Sequence, residues 1–167
     1  MKSNTTSKNI YLFTASLGFI LAMFAVNIYQ KTIIPVAPIL LVILIASFIA
    51  FLCIKKHYQK TWQSTKMFPA FFQSVCSAGF VACYLFMAIN FYFTGKENEI
   101  RTFQILTKHT IGTKNPQPAT EINYDGKEKQ LVFSNGQQMQ FDTSHFVVLT
   151  VQKGFFNYDV FTSISIR

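Results

Sequence analysis

Three long apolar runs in the first half of the sequence set the strongest limit on its fold. They cover residues 10–29, 33–54 and 68–93, and none contains Asp, Glu, Lys, Arg or His. Each has at least the roughly 20 residues with which a helix crosses a hydrocarbon core about 30 Å thick. We therefore predict a membrane domain, residues 1–95, with three transmembrane helices.

The first run follows Lys2 and Lys8, so a cleaved signal peptide is the rival interpretation. A signal peptide has an apolar region of only about 7–15 residues that ends at a small-x-small cleavage site. This run is longer and ends in the sequence NIYQ at residues 27–30. We interpret it as a retained span.

The lysines predict the orientation of the spans. Lys2 and Lys8 precede the first span and four lysines lie between the second and third, whereas the first connection carries only Lys31. The positive-inside rule then places the N-terminus in the cytoplasm and the part after residue 93 on the opposite face, periplasmic or extracellular. Most of the net charge of +8 comes from these lysines near the membrane. The charge therefore reflects membrane topology and argues against nucleic-acid binding.

Small residues at four-residue spacing predict where the spans pack, because they let helix backbones approach closely. The predicted packing positions are Gly18, Ala22, Ala46, Ala50, Ala78 and Ala82. The three spans can satisfy these faces among themselves; the alternative, that one face is left over for another membrane protein, stays open.

A basic aromatic segment follows the second span. Tyr58 and Trp62 are four residues apart, so on a helix they share one face and can lie at the bilayer interface, with Lys55 and Lys56 turned towards the headgroups. We favour an ordinary cytoplasmic loop with an aromatic anchor over a specific lipid site.

After residue 95 the pattern changes from helical to alternating, and all seven acidic residues lie there. Short alternating segments, among them QMQF at 138–141, are separated by turn dipeptides, of which Asp125-Gly126 and Asn135-Gly136 are strong hairpin signals. Residues 96–167 are predicted to form a small antiparallel β-domain of about six strands. The fold class is therefore a membrane α + β protein.

Four aromatic residues follow the Lys153-Gly154 turn between the last two predicted strands: Phe155, Phe156, Tyr158 and Phe161. Three interpretations compete. The rings can cover the open end of a small sheet, rest on the outer leaflet of the membrane, or form a recognition patch for another protein, because aromatic residues are enriched in interface cores.

Catalytic, cofactor and metal sites are not predicted. No Walker loop, dinucleotide-binding glycine turn or HExxH motif occurs. The DTSH sequence at 142–145 places neighbouring side chains on opposite faces, so we interpret it as a polar turn. Cys76, Cys83 and Met87 can share a helix face and offer soft ligands to a copper(I)-like ion, but packed helices more often use cysteine as a small apolar residue.

These features favour a non-catalytic accessory or assembly subunit, whose exported domain binds a membrane or periplasmic protein. A stand-alone immunity or sensing protein that binds an exported toxin or ligand is the alternative, and a membrane enzyme or metal carrier is a third hypothesis. The lipid bilayer is the other expected partner. The Asn-, Lys-, Phe- and Ile-rich composition suggests an organism with AT-rich DNA, and three spans with a β-domain and no eukaryotic signal suggest a bacterial inner membrane.

Overall fold

Three long helices make up the first half of the protein. The computed structural model describes residues 4–63, 66–134 and 138–167. The first two helices are α1 (Asn4–Gln30) and α2 (Val36–Trp62); the third consists of α3 (Met67–Ser74), a π-helical turn (Val75–Gly79) and α4 (Phe80–Tyr92). All three are long and apolar enough to cross a membrane.

The second helix is displaced from the apolar run that predicted it. It begins at residue 36 rather than 33, because strand β1 (Thr32–Ile33) and the extended backbone of Pro35 (φ −58°, ψ 149°) precede it. At its other end α2 continues through the lysines to Trp62, since lysine is a good helix former. The apolar run therefore indicates the part of the helix suited to the hydrocarbon core of a membrane, and not the full length of the helix.

Two glycines bring the helices together around the π-helical turn. A Cβ atom on Gly18 would overlap the carbonyl oxygen of Cys76, and one on Gly79 would overlap Ser47 Oγ and lie 3.2 Å from Ile43 Cγ2. Glycine therefore permits an approach that any larger residue would prevent. The other predicted packing residues, Ala22, Ala46, Ala50, Ala78 and Ala82, are half-buried.

The basic aromatic segment lies on the last turns of α2. Trp62 and Lys56 are exposed and Lys55 is half-buried, whereas Tyr58 is buried. The Tyr58 ring meets the ring of Tyr11 edge to face, with 5.2 Å between centroids. Tyr58 is thus a packing residue between α1 and α2, although it also neighbours Trp62 at 6.0 Å.

The chain divides into two compact units, Met1–Tyr29 with Ile33–Phe93 and Gln30–Thr32 with Thr94–Arg167. The second, the β unit, is built on two antiparallel sheets. The strands after β1 are β2 (Glu99–Gln104), β3 (Thr107–Ile111), β4 (Gln117–Tyr124), β5 (Lys127–Val132), β6 (Phe146–Lys153) and β7 (Asp159–Ile166). The four-stranded sheet has the order β1-β7-β6-β2 and the three-stranded sheet β3-β4-β5.

The alternation of apolar residues along β6 matches its buried face. Val147, Leu149 and Val151 are all buried, as is Leu131 on β5. The Asp125-Gly126 hairpin is also confirmed: both residues have positive φ (49° and 81°), and Tyr124 pairs with Lys127 across it. Asn135-Gly136 lies outside the described residues.

Two features of the β unit differ from the prediction. The QMQF segment begins a short helix, α5 (Gln138–Thr143), instead of a strand. In addition, the connection between α1 and α2 contributes β1 to the edge of the four-stranded sheet, where the Phe161 amide donates to Lys31 O at 2.8 Å and Thr32 is buried. A two-residue strand carries no periodic signal in sequence.

Candidate interaction surface

The loop between β6 and β7 is an ordered five-residue turn, Gly154 to Tyr158. The Gly154 amide donates to Tyr158 O and the Asn157 amide donates to Gly154 O, each at 2.8 Å. Asn157 adopts a left-handed backbone conformation (φ 64°), which asparagine tolerates better than most residues. The turn therefore closes on itself and fixes the direction of the two residues at its tip.

Two of the four predicted aromatic residues are exposed at that tip. Phe155 and Phe156 are 65% and 39% exposed, and their rings pack perpendicular to each other with 5.1 Å between centroids. Tyr158 is half-buried. Phe161 is only 5% exposed and packs against Tyr124, so its side chain belongs to the core and not to a surface patch.

Directly below the loop, Lys153 and Asp159 face each other as the last cross-strand pair of β6 and β7. Lys153 Nζ lies 2.5 Å from Asp159 Oδ1, and the Tyr124 hydroxyl donates to Asp159 Oδ2 at 2.8 Å. Asp159 is 8% exposed, whereas the Lys153 side chain is 54% exposed. A buried carboxylate is thus held by one buried hydroxyl and one largely solvated ammonium.

Tyr124 connects this pair to a second group of charges. Arg101 donates to the Tyr124 hydroxyl at 3.2 Å, to Asp125 at 3.1 Å, and to both carboxylate oxygens of Glu99 at 2.9 Å. Burial and the hydrogen bond to Asp159 raise the pKa of Tyr124, so it remains a neutral donor at physiological pH. The hydrogen bond from Arg101 lowers the pKa of Glu99, which keeps that side chain ionised.

A cleft of about 390 Å³ opens beside the Lys153–Asp159 pair. Glu97, Asn98 and Glu99 form one wall, and Val151, Gln152, Lys153 and Asp159 form the other. Gln152 donates to Asn98 at 2.8 Å, and the Gly95 amide donates to Lys153 O at 2.8 Å, so the segment before β2 is held against β6. The exposed aromatic tip and this polar cleft are both built on the β6–β7 hairpin.

The sequence did not indicate the roles of Asp159, Tyr124 and Arg101. One signal was present in the sequence YDVF, where Asp159 directly precedes two apolar strand residues. Alternation alone would place the Asp159 side chain on the exposed face of the strand. A register shift between Thr150 and Val151 of β6 interrupts the regular pairing with β7. Asp159 and the two residues after it are all buried, so this end of β7 does not follow the alternation of its other half.

The other sequence-derived candidates are placed as follows. Cys76, Cys83 and Met87 are buried in the third helix. Within the described residues, no three His, Cys, Asp or Glu side chains are grouped as metal ligands. The DTSH segment is only partly a turn: Asp142 and Thr143 end α5, and the Ser144 hydroxyl that follows donates to Gln140 O of that helix.

No protein-family model, curated protein or solved structure matches the chain.

A hydrogen bond from Lys129 connects β5 to the segment between α1 and α2. Lys129 Nζ donates to Thr32 O at 2.9 Å, and burial lowers the pKa of the ammonium to about 8. The folded protein therefore releases this proton at lower pH than the unfolded chain, whose lysine keeps its usual pKa of about 10.4. Between these values the unfolded state binds more protons, so stability rises with pH.

We expect the β unit to gain about 1 kcal/mol between pH 7.5 and 9.5, a value reduced for the solvent that still reaches the amine. The upper limit stays below the usual pKa of tyrosine, about 10, so ionisation of Tyr124 in the unfolded chain contributes only a small opposing slope. The measurement is the midpoint of thermal unfolding of the full chain in detergent. Lys129→Met should flatten the profile, while Lys127→Met, at an exposed position of the same strand, should leave it unchanged. Equal pH profiles for the wild type and Lys129→Met would contradict the assignment.

Proposed function

We propose that the chain is an integral protein of a bacterial inner membrane, with three spanning helices, a cytoplasmic N-terminus and an exported β unit. Three helices of sufficient length and apolarity support the membrane location. The lysines at the N-terminal end of α1 (Lys2 and Lys8) and those on the last turns of α2 and just before α3 (Lys55, Lys56, Lys60 and Lys66) support the orientation. Membership of Gln30–Thr32 in the β unit supports the three crossings, because three spans place the first connection and the chain after Phe93 on the same side of the membrane.

Within that arrangement, the chain acts as a non-catalytic accessory or assembly subunit whose β unit binds a partner protein. The observation that carries this proposal is the pair Phe155 and Phe156, exposed on a turn whose backbone hydrogen bonds hold it in one conformation. Aromatic anchors that are already ordered lose little conformational entropy on binding. Lys153, an exposed charged residue directly before the turn, matches the polar rim of a protein interface.

We expect replacement of both phenylalanines by serine to weaken partner binding at least tenfold, because central aromatic anchors each contribute about 2 kcal/mol or more. The full chain is purified from native membranes in a mild detergent through an N-terminal tag, and stoichiometric partners are identified by mass spectrometry. Affinity is then measured with the purified partner.

The matched control replaces Ile100 and Leu106 by serine, since both are exposed apolar residues of the same unit. Equal loss of binding in the two double variants, or full binding by the Phe155→Ser/Phe156→Ser variant, would contradict the proposed role of the loop. Absence of any stoichiometric partner would contradict the subunit function itself.

A further inference from the structure

A groove between the second and third helices is lined entirely by apolar side chains. Its volume is about 350 Å³, and its walls are Leu44, Ile45, Phe48 and Ile49 of α2 and Phe71 of α3. That volume is within the range of roughly 300–1,000 Å³ that ligand sites occupy. The four side chains of α2 are each more than half exposed, so this α2–α3 groove is open to the medium around the helices.

Two lysines continue the face of α2 that lines the groove. Lys55 lies seven residues after Phe48. Lys56 lies seven residues after Ile49. Residues two helical turns apart share one face, and the rise of about 1.5 Å per residue places both lysines about 10 Å further along the helix axis. The groove therefore has a basic end.

Aromatic contacts connect Lys55 to the wall of the groove. Its Nζ lies 5.8 Å from the centroid of the Phe51 ring. The Phe51 ring in turn meets the Phe71 ring edge to face, with 5.8 Å between centroids. No Asp or Glu precedes Glu97 in the sequence, so the helical unit supplies no carboxylate side chain to neutralise Lys55 and Lys56. Its basic end is complementary to an anion.

The spacing between the lysines and the groove matches the thickness of one membrane leaflet. From Leu44 to Lys55 the helix rises about 16 Å, close to half of a hydrocarbon core about 30 Å thick. Lysines at the end of a span lie at the level of the lipid headgroups. A lipid whose phosphate contacts Lys55 and Lys56 would thus bring its acyl chains to the depth of the groove.

A spanning helix of another protein fits this groove less well. Interfaces between spanning helices are enriched in small residues that let the backbones approach closely. The α2–α3 groove is lined by leucine, isoleucine and phenylalanine only. A flexible hydrocarbon chain can follow such bulky walls, and it needs no polar partner there.

We propose that the α2–α3 groove binds an acyl chain of an anionic phospholipid of the cytoplasmic leaflet, whose phosphate pairs with Lys55 and Lys56. The inference rests on the membrane location and orientation given under the proposed function, and it is independent of the partner of the β unit. A zwitterionic lipid binds more weakly, because its own ammonium competes with the lysines for the phosphate.

The test uses quenching of a single tryptophan by phospholipids that carry bromine on their acyl chains. Trp62 is the only tryptophan of the chain, so Trp62→Phe provides a background for one added reporter. Leu52→Trp places the reporter at an exposed position between the groove and the lysines, and Phe13→Trp places it at an exposed position of α1. The purified full chain is reconstituted into vesicles of phosphatidylglycerol and phosphatidylcholine, with one or the other lipid brominated.

At Leu52→Trp we expect phosphatidylglycerol to bind about fivefold more tightly than phosphatidylcholine, the effect of about one lysine beside an anionic headgroup. At Phe13→Trp the preference should be below about twofold, because the nearby Lys8 lies on another face of α1. Lys55→Gln/Lys56→Gln should remove the preference at Leu52→Trp. The matched control, Lys31→Gln/Lys96→Gln, removes the same charge at two exposed positions outside the basic end and should preserve it.

Three results would overturn the lipid site. The first is an equal preference at the two reporters, or a preference that survives Lys55→Gln/Lys56→Gln. The second is quenching at Phe13→Trp without quenching at Leu52→Trp, which would show that protein covers the groove. The third is loss of the preference in excess glycerol 3-phosphate, which would make a free phosphate compound the ligand.

Failure of the lipid site is distinguishable from failure of the proposed function. If the chain does not enter the bilayer, neither reporter is quenched, and the membrane location fails together with the site. If both lipids quench both reporters equally, the membrane location stands and only the lipid site is wrong. Partner capture through Phe155 and Phe156 is measured separately and depends on neither reporter.

Discussion

Gly18→Ala is expected to destabilise the helical bundle by about 1–3 kcal/mol, the range found for one excess methyl group in a packed interior. The added Cβ would overlap the carbonyl oxygen of Cys76, a backbone atom that no rotamer change can move away. Helix propensity acts in the opposite direction, since alanine is favoured over glycine by about 1 kcal/mol. The sign of the change therefore shows which effect dominates, and we expect the overlap to dominate.

The measurement is an SDS unfolding titration of the full chain in detergent, followed by circular dichroism. The matched control is Ser16→Ala on the same helix, where the side chain is exposed and no comparable overlap exists. Gly18→Val should be more severe than Gly18→Ala. Equal midpoints for Gly18→Ala and Ser16→Ala, or stabilisation by both, would show that α1 does not approach the π-helical turn this closely.

Sequence predicted the helices better than the contacts between them. Length and apolarity indicate a spanning helix directly, and small residues at four-residue spacing indicate which face permits close approach. The spacing does not identify the partner: Gly18 meets the Cys76 carbonyl in a π-helical turn, whose extra residue shifts the faces of the third helix. Periodicity that assumes 3.6 residues per turn cannot show that shift.

In the β unit, the sequence predicted features that follow from a local residue pattern. It did not predict features that depend on a single contact between distant residues. Alternation matches the buried face of β6, and Asp125-Gly126 predicted the hairpin between β4 and β5. The QMQF segment alternates as well, yet six residues suffice for a short helix when tertiary packing of Phe141 favours it. The aromatic tip was predicted as a candidate surface, but the division between exposed Phe155 and buried Phe161 depends on the turn geometry.

Replacement of Tyr124 should have the largest effect in the β unit. Tyr124 is almost fully buried and its ring stacks on Phe103 at 5.0 Å and packs against Phe161 at 5.9 Å. Its hydroxyl donates to Asp159, and the Arg101 guanidinium lies 5.4 Å from the ring centroid. We expect Tyr124→Ala to cost about 3–5 kcal/mol, as for other large aromatic residues in cores.

Tyr124→Phe separates the hydroxyl from the ring. The phenylalanine keeps the ring packing but leaves Asp159 Oδ2 without its donor, which should cost about 1–3 kcal/mol. Hydrogen exchange followed by mass spectrometry on the full chain reports the β unit separately through amides of β4, β6 and β7. Ile122→Val, at a buried position of the same strand, provides the scale for a lost methylene, about 0.5–1.5 kcal/mol.

The cost of Tyr124→Phe should depend on the charge of Asp159. In an Asp159→Asn background the acceptor is neutral, so the hydroxyl contributes less and the two changes should be non-additive by at least about 0.5 kcal/mol. Additive effects would show that the hydroxyl stabilises the fold through Arg101 rather than through the buried carboxylate.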